Sequence, residues 1–292
     1  MTREIALIVN PSAGGGRAAR ALPGVEARLR ALGIPAEIDA TRDLDHAAEL
    51  AVAAARRGLV VVTLSGDGML GKVAGALTEV PDAILGVLPG GRGNDFARVV
   101  GIPLDAAAAC DVIATGEPRA LDLGQAAGTP YIGVASLGFD SEANRIANEA
   151  PARLGQLVYV YGALRALATW KPADFAIEVD GQRLRFTGWG IAMANSKAYG
   201  GGMFVAPDAE LDDGALDVVW LERSTKPHFL RSVLPKVFKG EHVHDPSVHV
   251  LRGTVVRVEA DRPFVVYADG DPVGELPMTF RALPGAVQVL LP

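Results

Sequence analysis

The segment Thr63-Leu-Ser-Gly-Asp-Gly-Met-Leu-Gly-Lys-Val73 sets a carboxylate, Asp67, between two glycines, after a strand-like run and before a helix-like one. Gly66, Gly68 and Gly71 satisfy the G-x-G-x-x-G spacing of a dinucleotide loop. A carboxylate inside a pyrophosphate cradle repels its ligand, unless a divalent cation lies between them or the acid stands beside a hydroxyl that must lose its proton. Phosphoryl transfer needs both of those things. The dinucleotide reading also requires an acid about 20 residues further on, at the end of the next strand. That strand runs instead into Leu88-Pro89-Gly90. The spacing match is therefore read as accidental, and Asp67 as a carboxylate with work to do.

Two further turns share the chemistry. "NPSAGGGRA" carries Gly14, Gly15 and Gly16, and "LPGGRGNDFAR" carries Gly90, Gly91 and Gly93. Glycine-rich turns at helix N-termini hold phosphate, because they offer unpaired N–H donors and the positive end of the helix dipole. One such loop is explained by tight turns alone; three at successive strand ends point to binding. "GKV" is not GK[ST], so the Walker A signature is absent. Carboxylates stand at other turns: Asp95 in "GNDFAR", Asp140 in "SLGFDSEA", Asp212, Asp213 and Asp217 in "PDAELDDGALDV", Asp269 and Asp271 in "YADGDP". Asp95 reads equally as a helix cap and Asp212-Asp213-Gly214 as a plain turn. Asp140 and Asp271 each follow an apolar strand, where side chains reach a sheet end.

The elements that must position these groups are legible as patterns. Up to about residue 120, apolar runs at 5–9, 36–40, 59–64 and 84–88 alternate with Ala-rich amphipathic stretches at 18–32, 45–57 and 70–77. This predicts βαβ units and a parallel sheet, whose carboxyl-end loops share a crevice. Beyond Leu123 the texture is β-rich: 131–136, 175–179, 184–194, 216–221, 254–259 and 264–268, interrupted by helical stretches at 141–169 and 227–239. The expected fold is α/β plus β: a parallel-sheet nucleotide domain at 1–123, completed by a strand in 284–292, and an antiparallel β-rich domain at 124–283. The last strand, 287–291, suits either domain.

The chain has 292 residues, 49% hydrophobic and 21% charged, with a net charge of −6. Such a composition is globular, and the negative balance argues against a nucleic-acid binder. No apolar run approaches the ~20 residues that cross a bilayer, and no leader peptide is visible, so a soluble, cytoplasmic protein is expected. The single cysteine, Cys110, sits in an Ala-rich stretch and reads as a packed helix residue.

Taken in order, "NPSAGGGRA", "TRDLDHAAELA", "SGDGM", "GGRGNDFARVVGIP", "SLGFDSEAN", "APDAELDDGALDVV" and "DGDP" resemble the diacylglycerol kinase catalytic-domain superfamily, which includes bacterial lipid kinases and the sphingosine and ceramide kinases. The resemblance implies an ATP- and Mg²⁺-dependent lipid kinase acting on a diacylglycerol-like or sphingoid hydroxyl, with its active site in a cleft between a nucleotide domain and a β-sandwich-like domain. It implies that Asn10, Ser12, Gly14, Gly15, Gly16, Thr41, Gly66, Gly68, Met69, Gly91, Gly93, Asn94 and Asp95 hold the nucleotide. It makes Asp271 the base for the lipid hydroxyl, with Asp67 and Asp140 organising catalytic Mg²⁺, and it assigns Asp212 and Asp213 to a structural Mg²⁺. The pattern is not met everywhere: Ser65, Met69, Gly71, Lys72, Arg92 and Asp271 stand where the family shows Gly, Thr, Asn, Glu, Thr and Glu. Met69 and Asp271 motivate an alternative, a nucleotide- or lipid-binding pseudokinase, and the Gly-Asp-Gly turn also occurs in NAD kinase, which the late "DDGALDVV" and "DGDP" disfavour.

A lipid substrate requires an apolar pocket and an approach to a membrane. "LGQLVYVYGALRALATW", 154–170, is apolar around most of its circumference and reads as a pocket wall or a core helix. "KPHFLRSVLPKVFKG" interleaves Lys226, Arg231, Lys236 and Lys239 with Phe229, Leu230, Val233, Leu234, Val237 and Phe238. It reads as a docked helix or as a peripheral membrane contact.

Overall fold

The computed structural model describes residues 3–150 and 157–292. They separate into two compact units, Met1–Leu123 with Gly285–Pro292, and Gly124–Pro284.

The first unit runs β1 (Ile5–Val9), α1 (Ala13–Ala31), β2 (Ala36–Ala40), α2 (Leu44–Arg56), β3 (Val60–Ser65), α3 (Asp67–Leu77), β4 (Ile84–Pro89), α4 (Asp95–Val99), α5 (Ala106–Thr115) and β5 (Glu117–Ala126). Strands pair in parallel in the order β4-β3-β1-β2. Every residue of β1 and β3 is buried, as expected of strands covered by helices on both faces. At the edge, β2 carries Glu37 and Asp39, charges that discourage further pairing. Asp43 and Asp105 start α2 and α5 by accepting the His46 and Ala108 N–H groups. Cys110 is buried in α5.

The register decides where the loops emerge. Val9 lies beside Leu64, Leu64 beside Leu88, and Ser65 beside Pro89. β1, β3 and β4 therefore end at one edge, and their three glycine-rich turns leave it side by side.

The second unit contains β6 (Thr129–Tyr131), β7 (Val134–Gly138), α6 (Phe139–Glu149), α7 (Leu157–Thr169), β8 (Ala173–Val179), β9 (Gln182–Ala194), β10 (Leu216–Glu222), β11 (Val248–Gly253), β12 (Val255–Ala260), β13 (Val265–Ala268), β14 (Asp271–Glu275) and the long β15 (Met278–Leu291). Pairing is antiparallel throughout this unit. The alternation of β10 shows how its core divides. Leu216, Val218 and Trp220 join one apolar cluster, while Val219 and Leu221 pack into a second with α6, α7 and Phe229.

Three expectations change. The helical stretch expected over 141–169 is two helices, α6 and α7, and its residues 151–156 lie outside the described residues. The stretch expected over 227–239 is a helical turn at Lys226–His228, a π-turn at Phe229–Val233 and a turn at Leu234–Val237. These pieces are contiguous, so the segment is one helical run from Lys226 to Val237 with a π-turn in its middle; Pro227 stands in its first turn, where the missing N–H has no helical partner to lose, and Pro235 follows the π-turn. The final strand serves both units: Met278–Arg281 pairs with β12, and Gln288 and Val289 pair with β4. Among the described residues, no helix is long and apolar enough to cross a membrane.

Gly162 marks the crossing of α6 and α7, because a Cβ there would lie 2.3 Å from the Ala143 carbonyl oxygen. Backbone cannot yield cheaply, so Gly162→Ala is expected to destabilise the second unit by about 1–3 kcal/mol. A denaturant midpoint identical to that of the unsubstituted chain would show that the helices part without cost.

Candidate active site

Within the first unit the three turns are in atomic contact. A Cβ on Gly91 would fall 2.5 Å from the Gly66 Cα, and one on Gly14 would fall 2.6 Å from the Gly90 carbonyl oxygen. Gly90 donates its N–H to the Ser65 carbonyl at 2.7 Å. Gly14, Gly15 and Gly16 all adopt left-handed φ values, 59°, 68° and 85°, so the helix proper of α1 begins after them. Glycine is required here by close packing as well as by ligand access. The wall is cationic: Arg17 Nη1 lies 3.4 Å from the Gly91 carbonyl, Arg20 bonds the Gly15 carbonyl, and Arg92 is half-buried with no ion pair among the described residues.

Asp67 binds two of these turns together. Its Oδ2 accepts the Asp95 N–H and its Oδ1 the Phe96 N–H, each at 3.1 Å. It thus caps the N-terminus of α4 from another loop, where a negative group also meets the helix dipole favourably. Burial raises its carboxyl pKa above the ordinary value, and the donated N–H groups offset this only in part. The loop after β4 is closed by Asn94, which is left-handed at φ 51° and whose Oδ1 accepts the Gly91 N–H at 2.8 Å. Asp95 is buried, at 6% exposure.

The remaining nucleotide candidates lie at the same edge. Ser12 bonds the Asn10 side chain through both N–H and Oγ. Thr41 is buried, with its hydroxyl on the Asp43 carbonyl. Gly66 and Gly68 flank Asp67 at the start of α3. The Met69 side chain is buried, so only its backbone is free to face a ligand. Lys72 pairs with Asp45 at 2.7 Å, joining α3 to α2.

In the second unit the candidate acids are not gathered. Asp271 sits beside Ala268, which faces Ala135 near the start of β7, whereas Asp140 lies beyond the far end of β7. The side chain of Asp140 is outside the described set. Asp271 is exposed on β14, yet surrounding protein raises its carboxyl pKa. Its neighbour Asp269 is the clasp of this region, accepting N–H groups of Ile132, Gly133 and Val134 at 2.8–3.2 Å. Asp212 is exposed; Asp213 and buried Asp217 lie against Arg252, at 3.0 and 3.4 Å. Asp213 Oδ1 also accepts the Ala215 N–H. No group of three or more His, Cys, Asp or Glu side chains suited to a metal occurs among the described residues. Sequence reading passed over Asp122, which is 2% exposed and accepts the Gly285 N–H at 2.7 Å. A lone acid inside the apolar run "ALDLG" was the available signal.

A cavity of about 110 Å³ lies inside the second unit, walled by Phe139 of α6, Ala163 of α7, Trp189, Phe229, Val233 and Val237 among others. Phe229 stacks on Trp189 at 5.2 Å and meets the Phe139 ring edge-on at 5.0 Å. His242 supplies a polar atom to the lining. Its Nε2 donates to the Val205 carbonyl at 3.1 Å, and burial lowers its pKa, favouring the neutral ring.

Comparison with known proteins covers both units. Residues 4–126 match the family model for the diacylglycerol kinase catalytic domain, and residues 133–291 match that for the YegS C-terminal NAD kinase beta sandwich-like domain. A diacylglycerol kinase of Mycobacterium tuberculosis is 34% identical over 300 residues, covering 99% of this chain and 95% of that protein. One of Bacillus subtilis is 30% identical over 292 residues, covering 98% and 95%. The crystal structure of a diacylglycerol kinase from Bacillus anthracis superposes with a TM-score of 0.78 at 20% identity, covering 99% of this chain and 97% of that one, and so shares the fold. With both halves matched and nearly the whole length aligned, the chain belongs to the diacylglycerol kinase family.

Proposed function

We propose that this protein transfers the γ-phosphate of ATP, with Mg²⁺, to a hydroxyl of a diacylglycerol-like or sphingoid lipid. The observation that carries the reading is the contact of three glycine turns, clasped by Asp67 and walled by Arg17, Arg20 and Arg92. Glycine turns packed this closely keep side chains off their outer edge and leave N–H groups and guanidinium groups there, a setting that suits a chain of phosphates. Asp67 accepts one N–H on each oxygen and retains lone pairs for a hydrated cation; Asp95 is the second carboxylate of these loops. Mg²⁺ bound with ATP supplies charge neutralisation on the phosphates. At the Asp212–Asp213 turn a further ion would have to share Asp213 with the Arg252 guanidinium, which also lies against Asp217.

In this reading Asp271 takes the proton of the lipid hydroxyl as its oxygen bonds to the γ-phosphorus. The bond between that phosphorus and the β–γ bridging oxygen breaks, and ADP leaves with the electron pair. A raised pKa makes Asp271 a better base, provided it is ionised. The apolar cavity of the second unit receives an acyl or sphingoid chain, in keeping with its aromatic walls. Met69 takes no ligand contact away, since its side chain packs in the interior.

Three outcomes test this. Labelled phosphate is expected on a diacylglycerol or sphingoid acceptor, falling about 10²-fold or more in Asp271→Asn; label on neither lipid sinks the proposal. The acid limb of kcat/KM is expected above the ordinary aspartate range, since Asp271 must lose its proton to act, and it should disappear in Asp271→Asn. Asp67→Ala is expected to cost about 1.5–3 kcal/mol and to speed hydrogen exchange at the Asp95 and Phe96 amides. Unchanged exchange there would refute the clasp.

A further inference from the structure

The cavity wall has an outer side. We infer that the face formed by α7 and the Lys226–Gly240 segment docks onto an anionic lipid bilayer, an inference that rests on the lipid-acceptor reading of the cavity behind it. Ala163, Phe229, Val233, Leu234 and Val237 of these two segments line the cavity. Their solvent side carries Val160, Tyr161, Leu164, Leu230 and Phe238, exposed by 41%, 40%, 50%, 37% and 43%. These are five of the nine exposed large hydrophobic residues among the described residues. A cluster of that kind marks a surface that meets something apolar.

Charge selects the occupant. The chain is negative overall, at −6, yet α7 and the Lys226–Gly240 segment hold Arg165, Lys226, Arg231, Lys236 and Lys239 and no Asp or Glu. Arg165, Arg231, Lys236 and Lys239 form no ion pairs among the described residues, and Lys226 reaches across to the Ala168 carbonyl at 3.0 Å, tying the segment to α7. Of the acids on the adjoining elements, Glu142 and Glu149 of α6 are held by Arg145 and Asp245 by His228, which leaves exposed Glu241, next to Gly240, as a single acid against five cations. Unpaired cations interleaved with exposed apolar side chains complement anionic headgroups above acyl chains. A second copy of this chain is a poor occupant, since symmetric pairing would bring the same cations face to face. The helical run of this wall also widens into a π-turn at Phe229–Val233, and both end residues of that turn line the cavity.

The test is co-sedimentation with vesicles of phosphatidylcholine alone or mixed with phosphatidylglycerol, at low and high salt, without nucleotide. The unsubstituted protein is expected to sediment with the mixed vesicles, to stay soluble with the neutral ones, and to be released by salt. Arg231→Glu with Lys236→Glu and Lys239→Glu is expected to weaken binding about tenfold or more, and Leu230→Ser with Phe238→Ser to weaken it without changing the salt dependence. Both variants should keep their melting temperature and their transfer to a short-chain acceptor dispersed in detergent. Binding that ignores the charge reversal, or no binding to either vesicle, overturns the proposal, as does self-association through this face in place of vesicle binding. Vesicle binding as expected with no transfer to any acceptor would leave the docking face standing and remove the kinase reading instead.

Discussion

The Asp67 carboxylate is the tie on which the arrangement of the first unit depends. A parallel sheet delivers three loops to one edge, but loops of glycine have little side-chain surface with which to hold one another. Here one carboxylate supplies the missing link, receiving two N–H groups from the start of α4 while its own backbone starts α3. Burial works against its charge and the two donors work for it. The result is a carboxylate fixed in place by the protein's own N–H groups.

The second unit uses the same device in other places. Asp180 and Asp269 each adopt a left-handed φ, 46° and 49°, and each precedes a glycine. Asp180 accepts the Thr254 and Val255 N–H groups, and Asp269 accepts those of Ile132, Gly133 and Val134. In each case the Asp-Gly turn reaches backbone distant in sequence, because the short side chain projects from a turn whose own hydrogen bonds are already closed. Asp67, Asp180 and Asp269 are thus staples between distant backbone segments, whereas the fourth aspartate before glycine, Asp213, caps its own turn at the Ala215 N–H and pairs with Arg252.

This explains what was legible in the sequence and what was not. The βαβ alternation, the shared edge of the three loops and the antiparallel second half followed from periodicity, because burial on one face or two imposes a period that residue types report. The clasp made by Asp67 did not follow, since both partners are backbone N–H groups and carry no residue signature. Asp140 and Asp271 look alike in sequence, each an acid after an apolar strand, yet register sets Asp271 level with the start of β7 while Asp140 follows its far end. Strand pairing decides such matters, and pairing partners more than 100 residues apart leave no local trace. The helical run at Lys226–Val237 followed from its amphipathic pattern, but the π-turn at Phe229–Val233 did not, because a single extra residue in a turn leaves the residue types unchanged.

The charge pattern of the second unit completes the argument for orientation. A protein with an excess of negative charge is repelled by an anionic surface everywhere except where its cations gather, so repulsion over the remaining surface turns the basic face inward as effectively as attraction does. The cavity then adds little selectivity of its own, because an apolar pocket distinguishes chains weakly, about 1–3 kcal/mol per methylene. On the proposed reading, selection among lipids would come from the polar end, where Asp271 is exposed on β14, and from the membrane that the basic face meets.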